Sequence, residues 1–239
     1  MPMPSPPIEL HHANWRLQVD PALGGSVLGL WLGGTPVLRP TLEAATHAGQ
    51  SAAYPLVPDS NRIGRGQMDW RGERYSLRNG FNGEAHALHG VGFMRPWTVV
   101  EQQVATLVLR LVHAPDEFWP FAFEAEQRFE LGPDGLRLTM SARNTDARVQ
   151  PMGLGWHPYF VRRSGSALDL PVMMFCRAPP RRCRVCAALS LTCGWTIVLT
   201  GLARWPSCSM PICRWRWKPT AGIGWCTPQW AQRFSVSNQ

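Results

Sequence analysis

The sequence predicts an all-β protein, an antiparallel β-sandwich, and three observations predict it. Where apolar residues recur with a period, the period is two. The segments carrying that period are short and punctuated by turn formers, with 22 Gly and 22 Pro in 239 residues. No stretch of about 12 residues or more presents the apolar stripe of an amphipathic helix. Many short strands joined by Gly/Pro turns bury their apolar faces most readily as two packed sheets.

The elements follow in chain order. Residues 1–10 begin with the Pro-rich run MPMPSPP and are expected to be disordered. They carry no basic segment followed by an apolar one, so no secretory signal is read and a cytoplasmic location is expected. No apolar run reaches the roughly 18 residues a membrane span needs, so no membrane partner is expected. Ala105 to Val112, ATLVLRLV, is a short strand-forming run. Phe121, Phe123, Ala125, Gln127, Phe129 and Leu131 alternate with Ala122, Glu124, Glu126, Arg128 and Glu130, the pattern of a half-buried antiparallel strand. Pro133-Asp134-Gly135 supplies a turn, and Leu136, Leu138 and Met140 then alternate with Arg137, Thr139 and Ser141. This pair is the strongest hairpin in the chain.

The composition breaks near residue 169. A net charge of +8 suggests an acidic partner such as nucleic acid, but all 16 acidic residues lie at or before Asp169. Fifteen of the 24 cations precede it, so the first part has a net charge of −1 and the excess belongs to the tail. All seven Cys lie at Cys176 or later, and all seven His and three Tyr at Tyr159 or earlier. The expected organisation is therefore a disordered start at 1–10, a β-sandwich portion at 11–168, and a Cys/Trp/Arg-rich tail at 169–239 without a periodic core. No nucleic-acid partner is expected, and the chain is expected to be a monomer or homodimer.

Three segments carry chemistry. Tyr54 to Ile63, YPLVPDSNRI, places Asn61 and Arg62 beside Gly64 and Gly66, where an amide and a guanidinium can meet hydroxyl groups. An irregular loop with surface charge is the plainer reading. His86-Ala87-Leu88-His89-Gly90 offers two imidazoles for proton transfer or a metal, although no third ligand follows at a suitable spacing. In Gly155-Trp156-His157-Pro158-Tyr159-Phe160, apolar neighbours can tune His157 toward acid catalysis. Trp156 can stack on a sugar or fill a core.

Together, PLVPDSNRIGRG, HALHG with Gly92 and Trp97, WPFAFEAEQRF and GLGWHPYF, in that order and spacing, resemble the aldose 1-epimerase (galactose mutarotase) family from about Leu17 to Gly165. The resemblance implies a large antiparallel β-sandwich, incomplete or disordered in its C-terminal part. It implies sugar binding by Asn61, Arg62 and His89, with His157 as general acid. The catalytic residues it assigns are His157 and His89. The implied reaction interconverts the α and β anomers of a hexose such as glucose or galactose by opening and closing the ring, and needs no metal and no cofactor. The implied partner is a small-molecule sugar.

The tail departs from that family. The resemblance expects a general-base Glu in a segment like FFCVEP and an Asp in one like LDHCFDG, and no carboxylate side chain follows Asp169. Codon logic explains the gap. Read one base early, Trp195-Thr196 must encode Asp, and Gly194 to Leu202 can encode LDHCFDGL. Met173-Met174-Phe175, passing into Cys176, must encode Asp-Val-Leu, and Arg233 to Gln239 can encode FFCVEP. A one-base shift of frame between about 160 and 173 is expected, leaving the chain impaired.

Other readings of the tail are a zinc site begun by Cys183 and Cys186 with Cys193 and Cys208, and an RNA or membrane contact through Arg214-Trp-Arg-Trp-Lys218. The alternatives for the whole chain are a non-catalytic carbohydrate-binding module or a hexose-6-phosphate 1-epimerase. The latter would use extra cations at the pocket mouth, with Arg65, Arg74 and Arg78 as candidates.

Overall fold

A computed structural model describes residues 6–81 and 83–163 together with the backbone of two later strands, 192–201 and 213–219. In chain order the strands are β1 (Ile8–His12), β2 (Trp15–Asp20), β3 (Ser26–Leu32), β4 (Thr35–Pro36), β5 (Ala53–Leu56), β6 (Arg62–Ile63), β7 (Gln67–Trp70) and β8 (Glu73–Ser76). They continue as β9 (Ala87–Leu88), β10 (Thr98–Gln102), β11 (Thr106–His113), β12 (Phe123–Gly132), β13 (Gly135–Asn144), β14 (Gly155–Pro158), β15 (Thr192–Gly201) and β16 (Cys213–Pro219). Among the described residues, helical structure is confined to single 3-10 turns.

Two antiparallel sheets form the sandwich. One runs β1-β2-β3-β5-β14, with β4 against β3; the other runs β10-β11-β12-β13-β15-β16. The ribbons β6–β9 and β7–β8 stand apart from both sheets. The alternation read from the sequence is the alternation of burial. On β2, Trp15, Leu17 and Val19 are buried between the less buried Arg16, Gln18 and Asp20. On β12, Phe123, Ala125, Gln127, Phe129 and Leu131 point inward. They join Leu136, Leu138, Met140 and Ala142 of β13 and the inner face of the first sheet in one continuous core. Each fully buried large apolar side chain contributes roughly 1.5–3 kcal/mol over its exposed state. Gln127 is the polar member, and its Nε2 donates to the Gly25 carbonyl at 3.0 Å, tying the sheets together.

The β12–β13 hairpin closes through Pro133-Asp134, with Gly132 opposite Gly135. Gly135 takes φ 127°, which side chains disfavour. On the outer face Arg143 meets Glu124 at 2.7 Å, Arg110 meets Glu126 at 3.2 Å, and Arg128 meets Glu101 at 2.9 Å. The charged half of the alternation is thus neutralised across strands.

One expectation is corrected. Residues 1–10 do not all lie outside the fold, because Ile8–His12 pairs with β2 and Leu10 is fully buried. Past the last proline, IELHH alternates, and its His11 N–H also donates to the Val104 carbonyl at 2.8 Å. Within the tail, the backbone of β15 pairs with β13 and that of β16 with β15. An open edge of β13 offers unpaired backbone groups, and TCGWTIVLTG is rich in strand formers. The remaining expectations for 1–5 and 169–239, the Cys183/Cys186 metal reading among them, rest on residues or side chains outside those described. No helix among the described residues is long and apolar enough to cross a membrane.

Candidate functional site

The three chemistry-bearing segments, remote in sequence, converge through backbone pairing. The ladder of β6 and β9 sets Arg62 opposite Leu88 and Ile63 opposite Ala87, so the Asn-Arg and Leu-His-Gly segments run side by side. The His89 N–H donates to the Asn61 carbonyl at 2.9 Å. The Val57 carbonyl accepts the N–H groups of Val91 and Gly92 at 2.8 and 2.9 Å. Gly90 is required at this crossing: its φ is 66°, and a Cβ there would sit 2.3 Å from the Val57 oxygen. His89 itself takes φ 65°, an uncommon left-handed position for a residue with a side chain. The third segment enters through β14, whose His157 is the cross-strand partner of Tyr54 on β5.

That register makes an aromatic cluster around two imidazoles. His157 stacks on Tyr54 with ring centroids 5.0 Å apart and 12° between planes. His89 approaches His157 edge-on at 5.6 Å, and Tyr159 lies 4.8 Å from His157 on its other flank. Phe93 adjoins Tyr54 at 5.8 Å and stacks on Phe81 at 4.8 Å. Arg39 lies over the Tyr159 ring at 4.3 Å, while its Nη2 donates to the Ser51 carbonyl at 3.3 Å. Arg62 is exposed and its Nη2 lies 3.7 Å from Glu84 Oε1.

Burial in the cluster disfavours the charged form of both histidines. Burial, then the proximity of His157 and Arg62, pushes His89 down to about 3. Burial and the Arg39 cation lower His157 as well. The Nδ1 atoms of both rings are buried without a hydrogen-bond partner. Burial, with Tyr159 beside it, raises the Tyr54 phenol. Asp59, in the turn before Asn61, is pushed up to about 6 by burial, while the N–H groups of Asn61 and Ser60 favour its charged form. Two imidazoles within one aromatic wall can accept, donate or relay protons with a polar ligand.

A sequence profile of the family described as Aldose 1-epimerase matches residues 7–175, well over half the chain. The chain belongs to the aldose 1-epimerase family. Among curated proteins of Escherichia coli K12, it is similar to the uncharacterized protein YphB, 34% identical over 151 residues, covering 63% of this chain and 50% of that one. It is also similar to the uncharacterized protein YihR, 28% identical over 105 residues, covering 44% of this chain and 34% of that one. The chain thus spans half or less of the curated relatives it matches. Among solved structures it resembles a putative aldose 1-epimerase from E. coli K12, with TM-score 0.61, 34% identity and coverage of 65% of this chain and 52% of that one. It shares the fold of a galactose mutarotase-like protein from Clostridium acetobutylicum, with TM-score 0.56, 20% identity and coverage of 64% and 49%.

Of the family-like positions singled out in the sequence, His89, His157, Asn61 and Arg62 all lie in this convergence. Trp156 does not. Next to His157 on the strand, it points to the opposite face and is buried in the core. Trp97 is also core, its Nε1 donating to the Gly92 carbonyl at 2.9 Å. His86 lies apart from the His89–His157 pair, its Nδ1 accepting the Arg65 N–H at 2.9 Å. Among the described residues no three His, Cys, Asp or Glu side chains cluster as a metal site requires. Arg74 and Arg78, weighed as pocket-mouth cations, are engaged by Asp69 and Glu117. Sequence reasoning missed Tyr54, Tyr159, Phe93 and Arg39 as site residues. Tyr54 and Tyr159 stood at the rims of recognised segments, but only the pairing of β5 with β14 brings them to His157.

Proposed function

We propose that this scaffold serves anomer interconversion of a hexose such as glucose or galactose, and that the chain as written lacks the base the reaction needs. The observation that carries the reading is the approach of His89 and His157 within the aromatic cluster, beside Asn61 and Arg62. A base takes the proton from the anomeric hydroxyl while His157 gives one to the ring oxygen, and the C1–O5 bond breaks. Rotation about C1–C2 and reclosure on the other face, with both protons returned, inverts the anomer. Asn61, Arg62 and His89 hold the sugar hydroxyls. The step needs one carboxylate and one imidazole of offset proton affinity.

No carboxylate in the described site suits the base role. Glu84 lies beside the Arg62 guanidinium, and Asp59 caps its own turn. The family profile ends at residue 175, close to the charge and cysteine break, which supports a shift of reading frame at about 160–173. The chain as written is therefore expected to bind sugar and to exchange anomers scarcely faster than water.

Resequencing the coding DNA across 160–239, followed by NMR exchange spectroscopy on glucose and galactose with both products, tests this. A restored frame should raise the exchange rate by orders of magnitude. Rapid exchange by the chain as written sinks the missing-base reading. Sugar binding without exchange by both products favours a carbohydrate-binding module instead.

A further inference from the structure

The stretch from Val57 to Asn61 ties the first chemistry-bearing segment to the other two. The Val57 carbonyl carries the N–H groups of Val91 and Gly92, and the Asn61 carbonyl that of His89. On the other side the Pro58 carbonyl accepts the Gly153 N–H at 2.6 Å. Ser60 packs against Gly155, where a Cβ would sit 2.9 Å from the Ser60 Cβ. Gly155 opens β14, two residues before His157. A carboxylate stands inside this crossing. Asp59 Oδ2 accepts the Asn61 N–H at 3.3 Å, and the Ser60 N–H favours the charged form as well. Asp116 and Asp146 also cap turns with their carboxylates, but each is paired with an arginine, Arg95 and Arg148. Asp59 meets no cation among the described residues, and burial pushes it up to about 6.

We propose that Asp59 is a positioning residue: by accepting the N–H groups of Ser60 and Asn61 it sets the turn that aims the His89 ring and presents Asn61 and Arg62. This rests on the sugar-binding reading above and deepens it. The link to His89 runs through two groups of the same turn. The Asn61 carbonyl holds the His89 N–H, fixing a backbone that is already left-handed. Burial lowers His89 first, and the Ser60 backbone acts against it by favouring a proton on the ring. A turn that loses its side-chain acceptor frees two N–H groups and lets the Ser60 peptide rotate. The ring of His89 then loses its reference, although no atom of Asp59 touches it. A carboxylate kept where burial disfavours its charge, with no ion pair to offset that, is a mark of function more than of stability.

The test compares the full chain with Asp59→Asn, which keeps the acceptor and removes the charge, and Asp59→Leu, which keeps the volume and removes the acceptor. Two quantities are read: affinity for D-glucose and D-galactose by calorimetry, and the ring nitrogen signals of His89 by NMR. Asp59→Leu should weaken binding by roughly tenfold, the ratio of about one hydrogen bond, and should move the His89 signals. Asp59→Asn should match the wild type in both. If Asp59→Leu lowers the melting temperature but leaves affinity and the His89 signals alone, Asp59 is only a structural cap and the proposal is overturned. If Asp59→Asn loses as much as Asp59→Leu, the charge rather than the turn matters and the proposal is again overturned. Where Asp59→Leu does not fold, Asp59→Gly removes the acceptor without bulk and is judged in the same way. A wild type that binds neither sugar sinks the sugar reading alone, and the His89 signals then decide Asp59 by themselves: a shift in Asp59→Leu and not in Asp59→Asn upholds it, and no shift overturns it.

Discussion

The β12–β13 hairpin and the β5–β14 junction are both antiparallel ladders, yet they spend their side chains differently. In the hairpin one face is apolar and closed, and the other pairs its charges, Arg143 with Glu124 and Arg128 with Glu130. Its one unsatisfied atom is Gln127 Oε1, whose amide partner Nε2 links the two sheets. At the junction, the inward residue Trp156 joins the core and its neighbour His157 turns to a second, aromatic cluster. There Nδ1 of both histidines lacks a partner, and His89 occupies a left-handed backbone position. One ladder is arranged for stability. The other leaves two buried imidazole nitrogens without partners.

The largest test of that contrast is on the stable side. Phe129 is fully buried at the centre of β12, opposite Leu138. Phe129→Ala should cost about 3–5 kcal/mol, measured by urea denaturation. A loss below about 1 kcal/mol would mean that the hairpin is not the mechanical centre of the core.

How legible each region was follows from the range of its determinants. The hairpin was read in full because alternation and turn chemistry are local: Phe123 to Leu131, Pro133-Asp134-Gly135, and Leu136 to Met140 sit within one short stretch of chain. Asn61, Arg62, His89 and His157 were legible as short segments in a characteristic order, before any geometry. Arg39, Tyr54 and Tyr159 were not, because their place depends on a register between β5 and β14, strands about a hundred residues apart. β1 was missed because the proline run before it dominated the composition, although IELHH alternates.

The second test falls on the site side and is a matter of sign. His89 is held near 3 in the folded chain against an ordinary value of 6.5. Above about 6.5 both states are neutral and the contribution is fully present. As pH falls below 6.5 the unfolded chain takes up a proton that the folded one refuses, so stability is lost until about 3. His89→Asn should flatten the stability curve across that window, an effect of about 2 kcal/mol near pH 5. Asn also accepts the left-handed conformation, so the variant should be no less stable than wild type at neutral pH. Identical slopes for the two proteins between pH 6.5 and 3 would show that His89 is not buried neutral.

The smallest effect is expected at Arg74, and its smallness is informative. Arg74 and Asp69 face each other across β7 and β8 in a two-point ion pair, at 2.7 and 3.1 Å, with both side chains about two-thirds exposed. Water and salt screen such a pair almost completely. Arg74→Gln should therefore leave the melting temperature unchanged. It should also leave sugar preference unchanged, since its charge is neutralised at its own ribbon and lies outside the aromatic cluster. Arg39 carries the same charge and is exposed too, but it stands on Tyr159 beside His157. If Arg74→Gln lowered the melting temperature measurably, a screened surface pair would be contributing as a buried one does, and the contrast between site and scaffold would fail at its electrostatic level.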